Sequence, residues 1–454
     1  MTIAQLASYS KHFMGGTRGR VLALALPSVG EQILNMMVGM ANTYMVGHLG
    51  SASLTAVGLS DQIVMLFSAF FLAVSTGNTA LVARCIGARD KERACNVLQQ
   101  SMLTGGAIGL ACTVVGMALS SQAMIWFGAA KDVIPLGSAY LWIVSLSYAL
   151  MALMFIGNGA LRGAGDTRTP LWVMGIVNVV NIAVGYALLT GLGPLPALGV
   201  RGTAIGATVA RSLGCAIVLG LLVRGRAGLK LRLRISRPDW GVIKRVMNIG
   251  LPSGAEQICM RFGQVTFAAI VASLGTVAYA APQISFTSLS MSFMPGFGFG
   301  MAATTLVGQQ LGAKNPEGAE EACKISSRMA MYLMGAVGIL MFLFAPQIVG
   351  FFITEPEVIR LGAICVRIVG LTQPATAGMM VFSGGLRGAG DTRWPLIITA
   401  ISVWLVRIPL GRLFALTFGL GLPGVWVAVV VDMMGRALLF YWRFHSGKWK
   451  TIRV

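Results

Sequence analysis

The sequence predicts an all-α membrane protein with twelve transmembrane helices in two pseudo-symmetric six-helix lobes. Three observations predict it. Hydrophobic residues make up 56% of the 454-residue chain and charged residues 11%, with a mean hydropathy of +0.77, whereas soluble domains carry about 25% charged residues. The octapeptide Leu-Arg-Gly-Ala-Gly-Asp-Thr-Arg occurs at 161–168 and again at 386–393, 225 positions apart. The same displacement, without a gap, pairs Pro27-Ser28 with Pro252-Ser253, Glu31-Gln32-Ile33 with Glu256-Gln257-Ile258, Gly87-Ala88 with Gly312-Ala313, and Arg211 with Arg436. A duplication that keeps its helix and loop lengths in an apolar chain is the build of a secondary transporter.

In the first half, apolar stretches run over 21–46, 54–82, 97–119, 134–160, 171–189 and 202–223. Each is long enough to cross a hydrocarbon core of about 30 Å, which takes about 20 helical residues. The strands of a lipid-facing barrel would instead alternate over about 10 residues. The second half repeats the count over 246–273, 277–307, 329–348, 361–382, 396–418 and 425–442. The predicted organisation is a cytoplasmic N-terminus (1–20), an N-lobe (21–223), a basic inter-lobe linker (224–245), a C-lobe (246–442) and a cytoplasmic tail (443–454). The N-terminus has no short apolar region followed by a small-residue cleavage site, so 21–46 is expected to remain as the first span.

The formal charge of +20 is topological rather than a nucleic-acid surface. With the N-terminus inside, the inner loops and helix ends hold roughly 26 of the 35 Lys and Arg and the outer ones about four, the positive-inside asymmetry. The inner set includes Lys11, Arg18, Arg20, Arg84, Arg89, Lys91 and Arg93, and the tail Arg443, Lys448, Lys450 and Arg453. Its largest cluster is the linker, with Arg224, Arg226, Lys230, Arg232, Arg234, Arg237, Lys244 and Arg245 against Asp239 alone, placed near anionic lipid headgroups. This bias puts both termini on the cytoplasmic side of an inner membrane. None of the seven cysteines falls in an outer loop, and their spacing suggests neither a disulfide framework nor a metal site. His12, His48 and His445 lie at loops or termini and read as interfacial side chains. Neither GxxxxGKS nor GxxxxGKT is present, nor HExxH or GxSxG, so ATP-driven pumping and hydrolytic chemistry are disfavoured and no cofactor is implied.

Charges inside the spans are the most informative residues, because an ionised side chain at the bilayer centre costs about 2.5–3.5 kcal/mol or more unless paired or hydrated. Four acids fall there, Glu31, Asp61, Glu256 and Asp432, together with Arg211, Arg261, Arg367, Arg407 and Arg436. Asp432 and Arg436, four apart on one helix, have the spacing of an ion pair. Arg407 has no partner close in sequence and is assigned Glu256 or Asp432. Glu31, Asn35 and Asn42 form a polar stripe along the first helix that should face an internal cavity. Glu256 and Gln264 lie near one face of the seventh. Two readings of the repeated glutamates are open: a carboxylate that loads H+ or Na+ and couples ion flow to transport, with Glu256 and a nearby Na+ as the candidate, or a cross-helix anchor. Pro295 and Gly296, followed by Gly298 and Gly300, are hinge candidates for a bent helix, and the same glycines equally suit close helix packing. Asp166 and Asp391, each shortly before a proline, read as helix caps in cytoplasmic loops that also carry Arg162 and Arg387.

Taken together, the Leu-Arg-Gly-Ala-Gly-Asp-Thr-Arg element in both halves, Val46-Gly47-His48-Leu49-Gly50, Gly308-Gln309-Gln310-Leu311-Gly312-Ala313, Arg436 and Gly447-Lys448-Trp449 resemble the multidrug and toxic compound extrusion (MATE) transporters over nearly the whole chain. The resemblance implies two lobes around a central cleft and export of bulky, often cationic organic compounds in exchange for H+ or Na+ by alternating access, by a monomer in the bilayer. The chain departs from the family at its acidic positions. Where other branches carry an acid, it has Asn42 before Thr43, Gly185 four residues after Asn181, Met260, and Thr376. The coupling ion therefore does not carry over, and Asn42 and Asn181 stand only as polar candidates. A lipophilic cation would be held by aromatic and Met surface plus a buried carboxylate, although the 26 Met and 21 Phe also fit a membrane core. Two alternatives are a flippase for lipid-linked oligosaccharides of the same superfamily, and a non-transporting membrane receptor or scaffold.

Overall fold

The structure, a computed structural model, describes residues 16–191, 196–232, 237–272, 276–351, 355–419 and 421–452. Lys11, His12, Arg234 and Arg453 lie outside the described residues. The first half runs through α1 (Thr17–Gly47), α2 (Ser51–Gly87), α3 (Lys91–Ala118), the short α4 (Ser120–Trp126), α5 (Val133–Ser145), α6 (Tyr148–Gly163), α7 (Arg168–Thr190) and α8 (Val200–Val223). The second comprises α9 (Trp240–Ala272), α10 (Thr276–Gly312), α11 (Pro316–Leu343), the short α12 (Ala345–Gly350), α13 (Pro356–Gly388), α14 (Arg393–Ile401), α15 (Ile408–Arg412) and α16 (Gly421–His445). Among the described residues nine of these segments are long and apolar enough to cross a membrane, and α5 with α6 forms a tenth, bent by 52°. With α9 and α10, each half has six long helical segments, as the duplication predicts. Large apolar side chains on the outside, such as Trp126, Trp172, Tyr332 and Leu438, suit contact with lipid.

Repeat-related residues make the same local contacts. Asp90 accepts the Arg93 amide at 2.9 Å to start α3, and its mate Asn315 accepts the Gly318 amide at 2.8 Å to start α11. Each cap follows a residue in the left-handed region, Arg89 and Lys314, both at φ 59°. The Thr79 hydroxyl donates to the Gly159 carbonyl at 2.9 Å, locking α2 to α6, and Thr304 donates to Gly384 at 2.8 Å, locking α10 to α13. Glycine makes this approach feasible: a Cβ at Gly388 would lie 2.2 Å from the Thr304 carbonyl oxygen, and one at Gly384 2.2 Å from that of Gly300.

The chain packs as two compact units, 30–254 and 1–29 with 255–454, so the division falls inside α1 and α9. In the first unit the start of α9 lies on α2, so close that a Cβ at Gly250 would meet the Ala73 carbonyl at 2.2 Å. In the second, Val21, Leu24 and Ala25 of α1 join a core with Phe299, Ala302, Leu306 and Phe440. The opening segment of each half's first helix thus belongs to the unit built mainly from the other half. The basic segment after α8 packs on the first unit: Gln99 and Gln100 donate to the Arg232 and Arg237 carbonyls, both at 3.1 Å.

Two predicted spans are less regular than the apolar pattern implies. At 134–160 the helix breaks between α5 and α6, where the Ser145 and Ser147 hydroxyls each return to a backbone carbonyl at 2.7 Å and compete with the helical ladder. At 396–418 the span Arg393–Ala415 widens into π-helical turns at Ser402–Arg407 and Leu413–Thr417. Such turns insert an extra residue and re-aim neighbouring side chains. By contrast, α10 runs through Pro295 and Gly296 as one helix. A Cβ at Gly296 would sit 2.5 Å from the Met380 sulfur and 2.8 Å from that of Met334, so here the glycine serves close packing.

Both octapeptide loops are tied down by their aspartates. Asp166 accepts the Thr169 amide at 3.0 Å and its hydroxyl at 2.7 Å, and pairs with Arg226 at 3.1 Å. Partial burial pushes its carboxyl up, but these donors outweigh it and hold the group below the ordinary carboxylate range. Asp391 is buried and gripped by Arg443 through Nε at 2.9 Å and Nη2 at 2.7 Å, with the guanidinium over the Trp394 ring at 4.7 Å. Burial dominates at this site and leaves the Asp391 carboxyl above its usual value.

Two stability predictions follow from these contacts. Gly388→Ala should lower thermal stability in detergent by about 1–3 kcal/mol, because backbone has to move to admit the methyl group. Asp166→Asn should cost about 1 kcal/mol at neutral pH. Because the folded carboxyl is depressed, Asp166 stabilises the fold above its unfolded value and loses that contribution as pH falls through the folded one, so the gap between variant and wild type should narrow on acidification.

Candidate functional site

Carboxylates inside the spans are organised by arginines, most of them on other helices. In the first unit Arg162, at the end of α6, reaches Glu31 of α1 with Nη1 2.9 Å from Oε1 and 3.2 Å from Oε2. In the second, Arg387 at the end of α13 holds Glu256 of α9 with Nη2 2.9 Å from Oε1 and 2.8 Å from Oε2. The two pairs are repeat mates with the same sequence separation of 131. The Thr399 hydroxyl adds a second donor to Glu256 at 3.2 Å, and both glutamates are buried. A guanidinium that meets both oxygens of a carboxylate fixes its position.

The most enclosed charges are in the second unit. Asp432 is fully buried and accepts hydrogen bonds from Arg407 through Nε at 2.9 Å and through Nη2, from Arg436 Nη2 at 2.6 Å, and from the Ser402 hydroxyl. Ser402 and Arg407 bracket the first π-turn, which directs both toward α16. Of the two partners expected for Arg407, the structure selects Asp432, and Asp432–Arg436 forms the pair that its spacing predicts. Arg436 also donates to the Met260 sulfur at 3.5 Å, while its Nε has no hydrogen-bond partner. With two guanidiniums around one carboxylate, this cluster has net positive charge.

The remaining candidates are dispersed. Asn35, Asn42 and Asn181 are half-buried in the first unit, and the Asn42 side-chain oxygen is enclosed without a hydrogen-bond partner. Glu256 and Gln264, which the sequence puts near one face of α9, are used differently: Glu256 is buried with Arg387, while Gln264 is exposed and accepts from Arg261 at 3.3 Å. Sequence reasoning missed Arg162 and Arg387 as partners of the glutamates and assigned them to the loops. The signal was available: an acid and a base duplicated at one constant separation have been kept as a pair.

One further set of charged and hydroxyl groups lies in the first unit. Asp61 of α2 is exposed, and the neighbouring Ser60 hydroxyl reaches the Gly137 carbonyl of α5 at 3.3 Å. Arg211 Nη1 donates to Ser147 at the α5–α6 break at 3.3 Å.

A family model described as MatE matches residues 27–187 and 252–413, one copy in each half. The chain belongs to the MATE family. Among curated relatives, a probable multidrug resistance protein NorM of Thermotoga maritima is 32% identical over 437 residues, covering 96% of this chain and 94% of its own. The multidrug resistance protein NorM of Burkholderia vietnamiensis is 28% identical, covering 98% and 96%. Among solved structures, a MATE family multidrug transporter described in an outward-facing conformation superposes with a TM-score of 0.89 at 24% identity, over 97% of this chain and 98% of its own. A superfamily transporter from Pyrococcus furiosus matches with the same TM-score, identity and coverages. This MATE chain is accordingly an integral, multi-pass membrane transporter with the fold of those solved transporters.

Removing one partner from a buried ion pair leaves the other charge uncompensated, at a cost of about 3–5 kcal/mol. In this MATE protein Asp432→Asn should therefore be among the most destabilising single changes. Adding Arg407→Met to it should recover part of the loss, read as thermal stability of the detergent-solubilised double variant against each single one.

Proposed function

We propose that this protein is a secondary active antiporter that exports bulky, often cationic organic compounds in exchange for H+ or Na+ by alternating access, across a cytoplasmic membrane with both termini inside. The observation that carries this reading is the end-to-end relationship to proteins named for multidrug resistance, on a chain whose apolar spans retain charged and amide side chains. Such groups inside a membrane are costly and mark ion and substrate paths. A site of this kind exchanges its ligands by competition: loading a carboxylate with a cation removes the charge that holds an organic cation, and the two ligands favour different states of the transporter.

Within this reading Glu31 and Glu256 are anchors rather than carriers. To bind Na+, Glu256 would have to release Arg387 and leave a guanidinium unpaired within the spans, at the cost that unpaired membrane charges carry. The duplicated pairs instead hold the ends of α6 and α13 to α1 and α9. Asp166 and Asp391 brace the adjoining loops, and Pro295 and Gly296 provide a place where α10 can bend during the cycle.

Protein reconstituted in liposomes should move ethidium when a pH gradient or a sodium gradient is imposed separately, and should stop when that gradient is collapsed by an ionophore. Ethidium movement indifferent to both gradients, or transfer of a labelled lipid-linked glycan in its place, would overturn the reading. Arg387→Ala should reduce transport at least tenfold while the protein still inserts, since it frees the end of α13 from α9.

A further inference from the structure

The charge cluster of the second unit does not balance. Asp432 carries one negative charge against the two positive charges of Arg407 and Arg436, and among the described residues neither arginine is in an ion pair with a second carboxylate. The Ser402 hydroxyl, the remaining side-chain partner of Asp432, brings no charge. A buried ammonium can shed its proton to escape such a position, whereas a guanidinium in a protein keeps its charge. One positive charge is therefore in excess. Solvent does not disperse it: Arg436 is 4% exposed, Arg407 7% and Asp432 not at all. All three lie within segments long and apolar enough to cross a membrane, Arg407 in Arg393–Ala415 and the other two in Gly421–His445, where an unbalanced charge is costly.

Hydrogen bonding points the same way. Arg436 gives Nη2 to Asp432 at 2.6 Å, its Nη1 meets the thioether of Met260 on α9 at 3.5 Å, and its enclosed Nε has no hydrogen-bond partner. Three residues before Arg436, on the same side of α16, the Met433 sulfur takes the buried Thr376 hydroxyl of α13 at 3.8 Å. Thioether sulfur is a weak acceptor. Buried donors thus outnumber strong acceptors around this arginine, a setting that suits an anion and opposes a cation.

The cluster belongs to the second half alone. Asp432, Arg407 and Ser402 have Ala207, Ile182 and Val177 as repeat mates, and only Arg436 has a like mate, Arg211. Asp432 by itself would neutralise Arg436. With Arg407 present the positive excess returns, so balancing the duplicated arginine does not account for the set.

We propose that the Arg407–Asp432–Arg436 cluster is a binding site for one monovalent anion, chloride or the carboxylate group of an organic ligand, which accepts from the Arg436 guanidinium. With the anion bound, two negative charges face two positive ones and the cluster is neutral. The two sources share the chemistry of a single negative charge on a guanidinium. They differ in whether that charge comes alone or on an apolar body. The site takes a ligand of the opposite sign to an exported cation, and it stands whether or not the antiport reading does.

The test is equilibrium dialysis of the purified, detergent-solubilised protein against radiolabelled chloride and, in parallel, radiolabelled benzoate, with sodium sulfate holding the ionic strength constant. Wild type should bind about one ion per chain, as charge balance requires. Binding of chloride alone assigns the site to the inorganic ion, and binding of benzoate, with or without chloride, opens it to organic carboxylates. Binding of neither overturns the proposal. Arg436→Gln leaves Asp432 balanced by Arg407, so this variant keeps a neutral cluster, and its ion binding should fall at least tenfold. Met260→Glu puts a carboxylate beside Arg436 within the chain and should lower ion binding to the same extent. Ion binding that survives both substitutions overturns the assignment. The ion that binds should also raise the thermal midpoint of wild type and leave that of Met260→Glu unchanged. An equal rise in both is the second result that overturns it.

Discussion

The structure depends on the carboxylate–guanidinium pair as the means of keeping charge inside apolar helices. Each pair removes two unpaired ions from a medium that penalises them, and each also ties together elements that hydrophobic contact alone leaves free to slide, since lipid and helix are equally apolar. Glu31–Arg162 and Glu256–Arg387 do this at matching positions in the two halves. They sit just past the points where α1 and α9 pass from one compact unit into the other, so each helix is anchored where it enters the unit built from its own half.

Duplication explains the scaffold, and departures from it mark the function. Caps, left-handed turn residues, threonine–carbonyl locks and glutamate–arginine pairs recur with the constant offset. The arginine of the last helix recurs as well, but its acidic partner does not. In the second half that arginine is sealed with Asp432 and Arg407; in the first Arg211 donates to the Ser147 hydroxyl at the break between α5 and α6. Two halves of common build thus differ in how the same arginine is satisfied, by a carboxylate in one and by a serine hydroxyl in the other.

Sequence patterning made the helical architecture legible because the signal is strong and local. Twenty-residue apolar runs have few other folds available to them, and a gap-free repeat copies each boundary. The two irregular spans escaped it for a reason that is also local but weak: serine hydroxyls at 145 and 147 compete with the backbone, and the π-turn at Ser402–Arg407 changes the helical period without changing apolarity. The glycines after Pro295 were legible as two alternatives, and neighbours distant in sequence, Met334 and Met380, account for the closeness of Gly296.

By itself the sequence determined the class of the protein, its twofold build, the family resemblance and the short set of charges that the membrane has to accommodate. It also held the glutamate–arginine pairing, written as an acid and a base duplicated at one separation. The tertiary structure decided which charges meet. Arg407 turns to Asp432 and not to Glu256, and Arg211 reaches Ser147 at the break between α5 and α6. The reason is geometric: periodicity along one helix fixes the face a side chain occupies, while its partner depends on the rotation and depth of neighbouring helices, which are set by packing across the whole bundle.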